Sequence, residues 1–349
     1  MEAGIMNKIG ILTGGGDCPG LNAVIRAVVK RAAQDNIKVV GIKNGWKGLL
    51  RMDTVELGVD AVSDIVIKGG TILGTSRTNP YKNPDDVKKA MENYKKLALD
   101  ALVAIGGEDT LGVANKFVKE NKGINIVGVP KTIDNDLNAT DFTFGFDTAV
   151  NIAMEAIDRL RTTAESHHRV IVVEVMGRHA GWIAMHSGIA SGANIILIPE
   201  VKIDLDEVCG ILKKRHARAE TFSLVVAAEG AEIKAGQMVI KEKPLDSFGH
   251  VLLGGIGETL AKEIEGRTKL ETRSVVLGHI QRGGSPTAFD RVLATKFGVK
   301  AMEMVLAGRF GYMASLSGAE IKEAPLEAAV GTLKTVDTKF YDMAKIFFG

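Results

Sequence analysis

Short apolar runs alternate with segments that are apolar at helical spacing, and the alternation begins within the first ten residues. Lys8 to Thr13 reads as a strand, Leu21 to Gln34 as an amphipathic helix and Lys38 to Ile42 as a second strand. Asp85 to Leu97 has one apolar face and one lysine-rich face, the pattern of a surface helix whose charges need no further role. Ala101 to Ile105 is wholly apolar, a helix is expected from near Leu111, and Ile124 to Val129 is again a buried strand. Thr148 to Ser166 predicts a long helix, with strands after it near Val170, Ile195, Ser223 and Thr272 and helices between them. The C-terminal piece, rich in Ala and Lys, reads as a packing helix without chemistry of its own. The pattern predicts an α/β protein with two domains, each a mostly parallel sheet flanked by helices.

The polar punctuation falls at the carboxyl ends of these strands, where open α/β sheets bind ligands. Gly14-Gly15-Gly16-Asp17-Cys18-Pro19-Gly20 joins a strand to a helix, so its N–H groups and the helix dipole could hold an oxyanion. It lacks the Gly-Lys-Ser/Thr ending of a P-loop and the spacing of a dinucleotide fingerprint, and a purely structural turn explains it equally well. Gly69 to Arg77 is a second turn of small residues, closed by an arginine that is either a phosphate clamp or simply solvated. In Gly106-Gly107-Glu108-Asp109-Thr110, Thr110 suits a helix cap, while two consecutive acids at a glycine turn point to a metal ion bound to phosphate. Pro130-Lys131-Thr132-Ile133-Asp134-Asn135-Asp136 brings two carboxylates, a hydroxyl and an amine together, in residues that also favour a solvated turn.

Composition narrows the partners. The 349 residues are 46% hydrophobic and 25% charged, enough for a buried core and for about two domains of ordinary size. A net charge of +2 gives no general attraction to nucleic acid or an anionic membrane, so a small anion held by a local basic cluster is the expected ligand. The opening residues show no secretory pattern, no apolar run reaches spanning length, and Cys18 and Cys209 have neither zinc-ligand nor disulfide-scaffold spacing. A reducing cytoplasm is the simplest setting.

The three motifs Gly14 to Asn22, Gly106 to Thr110 and Pro130 to Asp136, followed in order by Met176-Gly177-Arg178 and Gly278-His279-Ile280-Gln281-Arg282-Gly283-Gly284-Ser285-Pro286, resemble the 6-phosphofructokinase family. The match covers nearly the whole chain and weakens only in about the last forty residues. It implies a phosphofructokinase-like fold with a phosphoryl-donor-binding domain (1–145 plus 281–331) and a sugar-phosphate-binding domain (146–280 plus 332–349). It also implies that Asp134 takes the proton from the 1-hydroxyl of fructose 6-phosphate, with Asp136 beside it and Thr132 holding the transferred group. Glu108 would serve Mg²⁺, although many members have Asp there, and Arg77, Arg178 and the Gly16 N–H would stabilise charge in the transition state. Gly15, Gly107, Asp109, Thr110 and Lys131 complete the implied donor and catalytic set. For the sugar phosphate the resemblance implies Met176, Gly177, Arg178, Glu229, His279 and Arg282, with Arg169 and Arg273 reaching a neighbouring subunit's site in a homodimer or homotetramer. Each has a plain structural alternative: His279 as a core histidine, Glu229 as a strand-end charge, Arg169 as a partner of Glu165. His167, His168 and His186 are read as structural.

Two positions address the donor. ATP-using members typically have glycine at the Asp109 and Lys131 positions, and pyrophosphate-using members have aspartate and lysine. A carboxylate at Asp109 would crowd and repel a nucleotide α-phosphate, at a cost of about a few kcal/mol. The resemblance thus implies pyrophosphate as donor and a reversible reaction, with ATP as the alternative. Kinases of NAD or lipids share only a glycine turn of this kind, and a non-catalytic sugar-phosphate sensor would not need Asp134, Asp136 and Arg178 together. At the family's effector site Arg26, Lys30 and Arg161 match the basic pattern, but Asp53 and Asn194 replace an arginine and a glutamate, so weak or absent effector control is expected.

Overall fold

The computed structural model describes residues 6–236 and 254–349. The chain divides into two compact units, the first formed by Met1–Ile133, Leu137–Thr148 and Arg282–Leu333, the second by Asp134–Asp136, Ala149–Gln281 and Lys334–Gly349.

The first unit opens with β1 (Lys8–Thr13), α1 (Leu21–Gln34), β2 (Lys38–Ile42), α2 (Trp46–Arg51) and β3 (Thr54–Glu56). It continues through α3 (Pro84–Lys96), β4 (Ala101–Gly106), α4 (Glu108–Lys119) and β5 (Ile126–Pro130) to the first turn of α5 (Phe146–His167). Asn83 accepts the Asp85 N–H and Pro84 opens α3, so an apt cap and a proline without a donor to lose set its start.

The second unit holds the rest of α5, then β6 (Val170–Val175), α6 (Trp182–Ala190), β7 (Ile195–Leu197), α7 (Leu205–Ala217), β8 (Ser223–Ala228), α8 (Ile256–Thr268) and β9 (Thr272–Val276). The chain returns to the first unit as α9 (Ala288–Leu306), β10 (Tyr312–Ser317), β11 (Glu320–Pro325) and α10 (Leu326–Ala329). It ends in the second unit as α11 (Thr338–Lys345).

Among the described residues the first sheet has the order β11-β10-β5-β4-β1-β2-β3, parallel except for β3 and β11 at its edges. The second has the order β7-β8-β6-β9 and is parallel throughout. Central β4 is buried along its whole length, which is why it reads as an unbroken apolar run and not as an alternation. In the first sheet the chain runs from β1 to β2 on one side and from β4 to β5 on the other. The β1 and β4 carboxyl ends therefore flank a topological switch point, where α/β sheets open a crevice for ligand. No helix among the described residues is long and apolar enough to cross a membrane.

One expectation fails locally. The helix after β4 starts at Glu108 and not near Leu111, so Thr110 lies inside its first turn and does not cap it; Gly107 stands at the N-cap, without a side-chain bond. Glu108 and Asp109 thus open the helix, where the macrodipole favours negative charge.

Candidate active site

In the first unit the ends of β1, β4 and β5 are tied together by backbone. The Gly14 N–H donates to Ile105 O at 2.9 Å, and the Lys131 N–H donates to Gly106 O at 3.0 Å. Thr110 is buried between the two glycine turns. A Cβ on Gly14 would lie 2.5 Å from Thr110 Oγ1, and a Cβ on Gly106 would also collide with that side chain. Glycine is needed at both places because a branched side chain occupies the space, a role for Thr110 that capping logic does not anticipate.

Gly15 has φ 78, a left-handed turn natural to glycine; its N–H donates to Ser76 O at 3.2 Å, and its carbonyl accepts from Thr75 Oγ1 at 2.6 Å. These bonds bring Arg77, which is exposed, next in sequence to the residue that receives the Gly15 N–H. The buried Lys131 extends its ammonium to Gly16 O at 2.5 Å, and a Cβ on Gly16 would lie 3.0 Å from Arg282 Nη1. A turn able to present N–H groups is thus flanked by a lysine and an arginine, the donor set of a polyphosphate site. Glu108 and Asp109 are exposed at the start of α4, and Gly107 packs against the Lys131 carbonyl. Thr132 is buried, its carbonyl accepting from Thr143 Oγ1 at 2.8 Å.

Cys18 lies against this turn with its thiol pushed well above its usual range, chiefly by burial, with Lys131 and Arg282 acting in the opposite sense. It is therefore a packed, inert thiol and not a nucleophile.

Asp134, Asn135 and Asp136 belong to the second unit. Asp134 and Asn135 are buried, Asp136 is partly so, and Asn135 takes a left-handed backbone, φ 51, between the two carboxylates. In the same unit the carboxyl ends of the adjacent strands β8, β6 and β9 carry Glu229, Met176–Arg178 and Gly278–Gln281, while Arg282 belongs to the first unit. The Glu229 N–H donates to Val175 O at 2.8 Å, and the Arg178 N–H donates to Glu229 Oε1 at 3.2 Å. Gly177 and Arg178 both have positive φ, 140 and 51, and the bare Gly230 lets its backbone approach the Arg178 carbonyl. Arg178, a side-chain-bearing residue in a conformation that favours glycine, is held in a tight turn at the strand end, the kind of outlier that clusters at ligand sites. His279 is exposed on the 3-10 turn Gly278–Arg282, so the alternative of a core histidine does not apply.

Arg169 and Arg273 lie elsewhere. They stand at the amino ends of β6 and β9, so at about 3.3 Å per strand residue they are roughly 20 Å from Arg178 within their own chain. Arg169 pairs with Glu271 at 2.8 Å and not with Glu165, and Arg273 reaches the same Glu271 at 2.7 Å.

Gln281 was assigned no role in the sequence, yet it is fully buried, accepts the Met176 N–H through Oε1 at 3.3 Å and donates from Nε2 to Gly278 O at 3.1 Å. It joins the β6 and β9 motifs to each other. The only signal for it was an uncharged amide between a histidine and an arginine.

The phosphofructokinase family model matches residues 8–305, most of the chain. The chain belongs to the phosphofructokinase family. It is 57% identical, over 98% of its length and 100% of the relative's, to pyrophosphate–fructose 6-phosphate 1-phosphotransferase of Streptomyces coelicolor. It is 53% identical, over 97% of its length and 99% of the relative's, to ATP-dependent 6-phosphofructokinase 3 of the same organism. Among solved structures, phosphofructokinase from Saccharomyces cerevisiae matches with a TM-score of 0.80 at 30% identity over 98% of this chain, which spans 46% of the yeast chain's length. This member of the family is an enzyme, a phosphotransferase.

Three of the positions expected for an effector site, Arg161, Asn194 and Asp53, have partners within the fold. Arg161 donates to the Ser191 and Gly192 carbonyls at the end of α6, and Asn194 Oδ1 accepts the Leu224 N–H at 2.8 Å. Asp53 sits within 4.0 Å of Lys43.

Proposed function

We propose that this protein transfers a phosphoryl group from pyrophosphate to the 1-hydroxyl of fructose 6-phosphate, giving fructose 1,6-bisphosphate, in a reversible Mg²⁺-dependent reaction of glycolysis and gluconeogenesis. The observation that carries the donor assignment is the Lys131 ammonium at the Gly16 carbonyl, beside a helix that opens with Asp109. A compact cation buried at the phosphate turn balances the dense charge of pyrophosphate. A carboxylate at the mouth of α4 opposes a longer donor's α-phosphate. Similarity alone does not select the donor, since the relatives named above include both kinds.

In this reading Gly15, Gly16, Gly107, Thr110, Arg77, Lys131 and Asp109 bind the donor. Thr132 holds the transferred group, and Asp134, with Asp136, accepts the proton of the sugar hydroxyl. Phosphoryl transfer asks little covalent chemistry of a protein: an aligned hydroxyl, an acceptor for its proton and positive charge over the equatorial oxygens. Met176, Gly177, Arg178, Glu229, His279 and Arg282 bind the sugar phosphate. Arg169 and Arg273, far from that cluster in their own chain, serve a neighbour's site in a homodimer or homotetramer.

Glu108 fits a magnesium ion, being an exposed hard-oxygen ligand at the turn where phosphate would lie, and such ions take one or two carboxylates besides phosphate and water. The ion would neutralise charge on the phosphate oxygens. The use of Arg161 and Asn194 in local structure supports weak or absent effector control. Two buried free thiols, Cys18 and Cys209, suit a cytoplasmic setting.

The donor pair is tested by Asp109→Gly, alone and with Lys131→Gly. ATP turnover should rise and pyrophosphate turnover fall; no gain with ATP in the double variant would refute the electrostatic account.

A further inference from the structure

The stretch that carries Asp134 and Asp136 is secured from near the C-terminus. The Lys334 N–H donates to Asp136 O at 2.9 Å, and the Lys334 ammonium donates to Asn135 Oδ1 at 3.2 Å. Lys334 is fixed in turn. Trp182, the first residue of α6, donates its indole N–H to Lys334 O at 2.9 Å, and the ammonium lies 5.3 Å from the centre of the Trp182 ring. Two residues on, the Val336 N–H donates to Glu200 Oε1 at 2.8 Å, and the same carboxylate accepts the Gly181 N–H at 2.9 and 3.1 Å. All these residues belong to the second unit.

We propose that Lys334 is a positioning residue for phosphoryl transfer, holding the Asp134–Asp136 carboxylates in register through Asn135 and the Asp136 carbonyl. The proposal rests on the reading of Asp134 as the base. Asn135 is the hinge of the segment: it is buried and left-handed, a conformation that asparagine adopts more readily than other residues with a side chain and that turns the chain between the two carboxylates. Lys334 grips both the side chain of that residue and the carbonyl of the next, so the directions of the flanking carboxylates are fixed together. Trp182 anchors the grip to the start of α6, four residues after Arg178. A general base must lie within hydrogen-bond reach of its proton, and a displacement of about 1 Å can cost about a hundredfold in rate.

The test is steady-state kinetics on the full-length protein, with pyrophosphate and fructose 6-phosphate, for Lys334→Met, Lys334→Arg, Asn135→Ala, the Lys334→Met/Asn135→Ala pair and Asp134→Asn. Lys334→Met should lower kcat by about ten- to a hundredfold with both KM values within about threefold. Lys334→Arg should restore most of kcat, and adding Asn135→Ala to Lys334→Met should cost little more, since both cut one link. If Lys334→Met does not fold, Trp182→Phe removes the indole donor while keeping an aromatic ring, and should still lower kcat by about threefold or more. A kcat within about twofold of wild type in Lys334→Met, or in Trp182→Phe where that stands in, beside an inactive Asp134→Asn, overturns the positioning role alone. A loss carried by KM, or full additivity with Asn135→Ala, does the same. Near-normal turnover in Asp134→Asn removes the base reading and this proposal with it.

Discussion

Replacing Lys131 by methionine keeps the length and most of the volume of a buried side chain while deleting its charge. The backbone is little affected, because the Lys131 N–H bond to Gly106 O is indifferent to the side chain. What is lost includes a charge-assisted hydrogen bond, Nζ to Gly16 O at 2.5 Å, and a cation at the phosphate turn. Hydrogen bonds to charged groups contribute about 1.5–3 kcal/mol. If that interaction is redirected to the transferring phosphate as charge develops, its loss lowers kcat/KM for pyrophosphate by roughly ten- to a hundredfold. The KM for fructose 6-phosphate should stay within about twofold, because Lys131 belongs to the donor turn. The assay is fructose 1,6-bisphosphate formation at saturating sugar phosphate over a range of pyrophosphate concentrations, with thermal denaturation alongside to verify folding. A folded variant with kcat/KM for pyrophosphate within about threefold of wild type would refute the role given to Lys131.

Gly14→Ala should destabilise the protein by about 1–3 kcal/mol, because its Cβ would lie 2.5 Å from Thr110 Oγ1 in a filled space. Adding Thr110→Ala should recover part of the loss in a urea midpoint, and failure to recover any would refute the steric explanation. Asp290, buried on α9 and receiving the Thr148 N–H and hydroxyl at 2.8 and 2.6 Å, has its carboxyl pushed up to about 6, chiefly by burial, with the Thr148 and Gly145 donors acting against that and Asp147 adding to it. Because the folded pKa is raised, the stabilisation from protonated Asp290 is complete below about pH 4 and is lost as pH rises through about 6, up to about 3 kcal/mol in all. Asp290→Asn should remove that slope, seen as a wild-type-minus-variant difference in unfolding free energy between pH 4 and 7, and an unchanged slope would contradict it.

Much of the fold was legible because burial on both faces writes a strand as a continuous apolar run, as in β4 and β6. The hairpin β10–β11 was not, since β11, Glu-Ile-Lys-Glu-Ala-Pro, is an edge strand with its charges toward solvent and presents no such run. The start of α4 was misread for a related reason. Thr110 is a good cap by type, but its position between Gly14 and Gly106 depends on strands nearly a hundred residues apart. The candidate residues at strand ends are marked in the sequence by glycine turns and charge. Gln281 and Lys334 escaped because one is uncharged and the other lies beyond the motifs, and their roles arise only from hydrogen bonds made by the folded chain. The contrast between Arg178 and the Arg169–Arg273 pair was likewise invisible as residue type; it follows from which end of a parallel strand each one occupies.

The most direct measurement is the initial rate of fructose 1,6-bisphosphate formation by the purified enzyme with pyrophosphate and with ATP, side by side, at equal Mg²⁺ and fructose 6-phosphate. Pyrophosphate should give a kcat/KM at least about tenfold above that with ATP, and the reverse reaction with orthophosphate should be readily measured. A kcat/KM about tenfold or more in favour of ATP would contradict the assignment of Lys131 and Asp109 as the residues that select the donor.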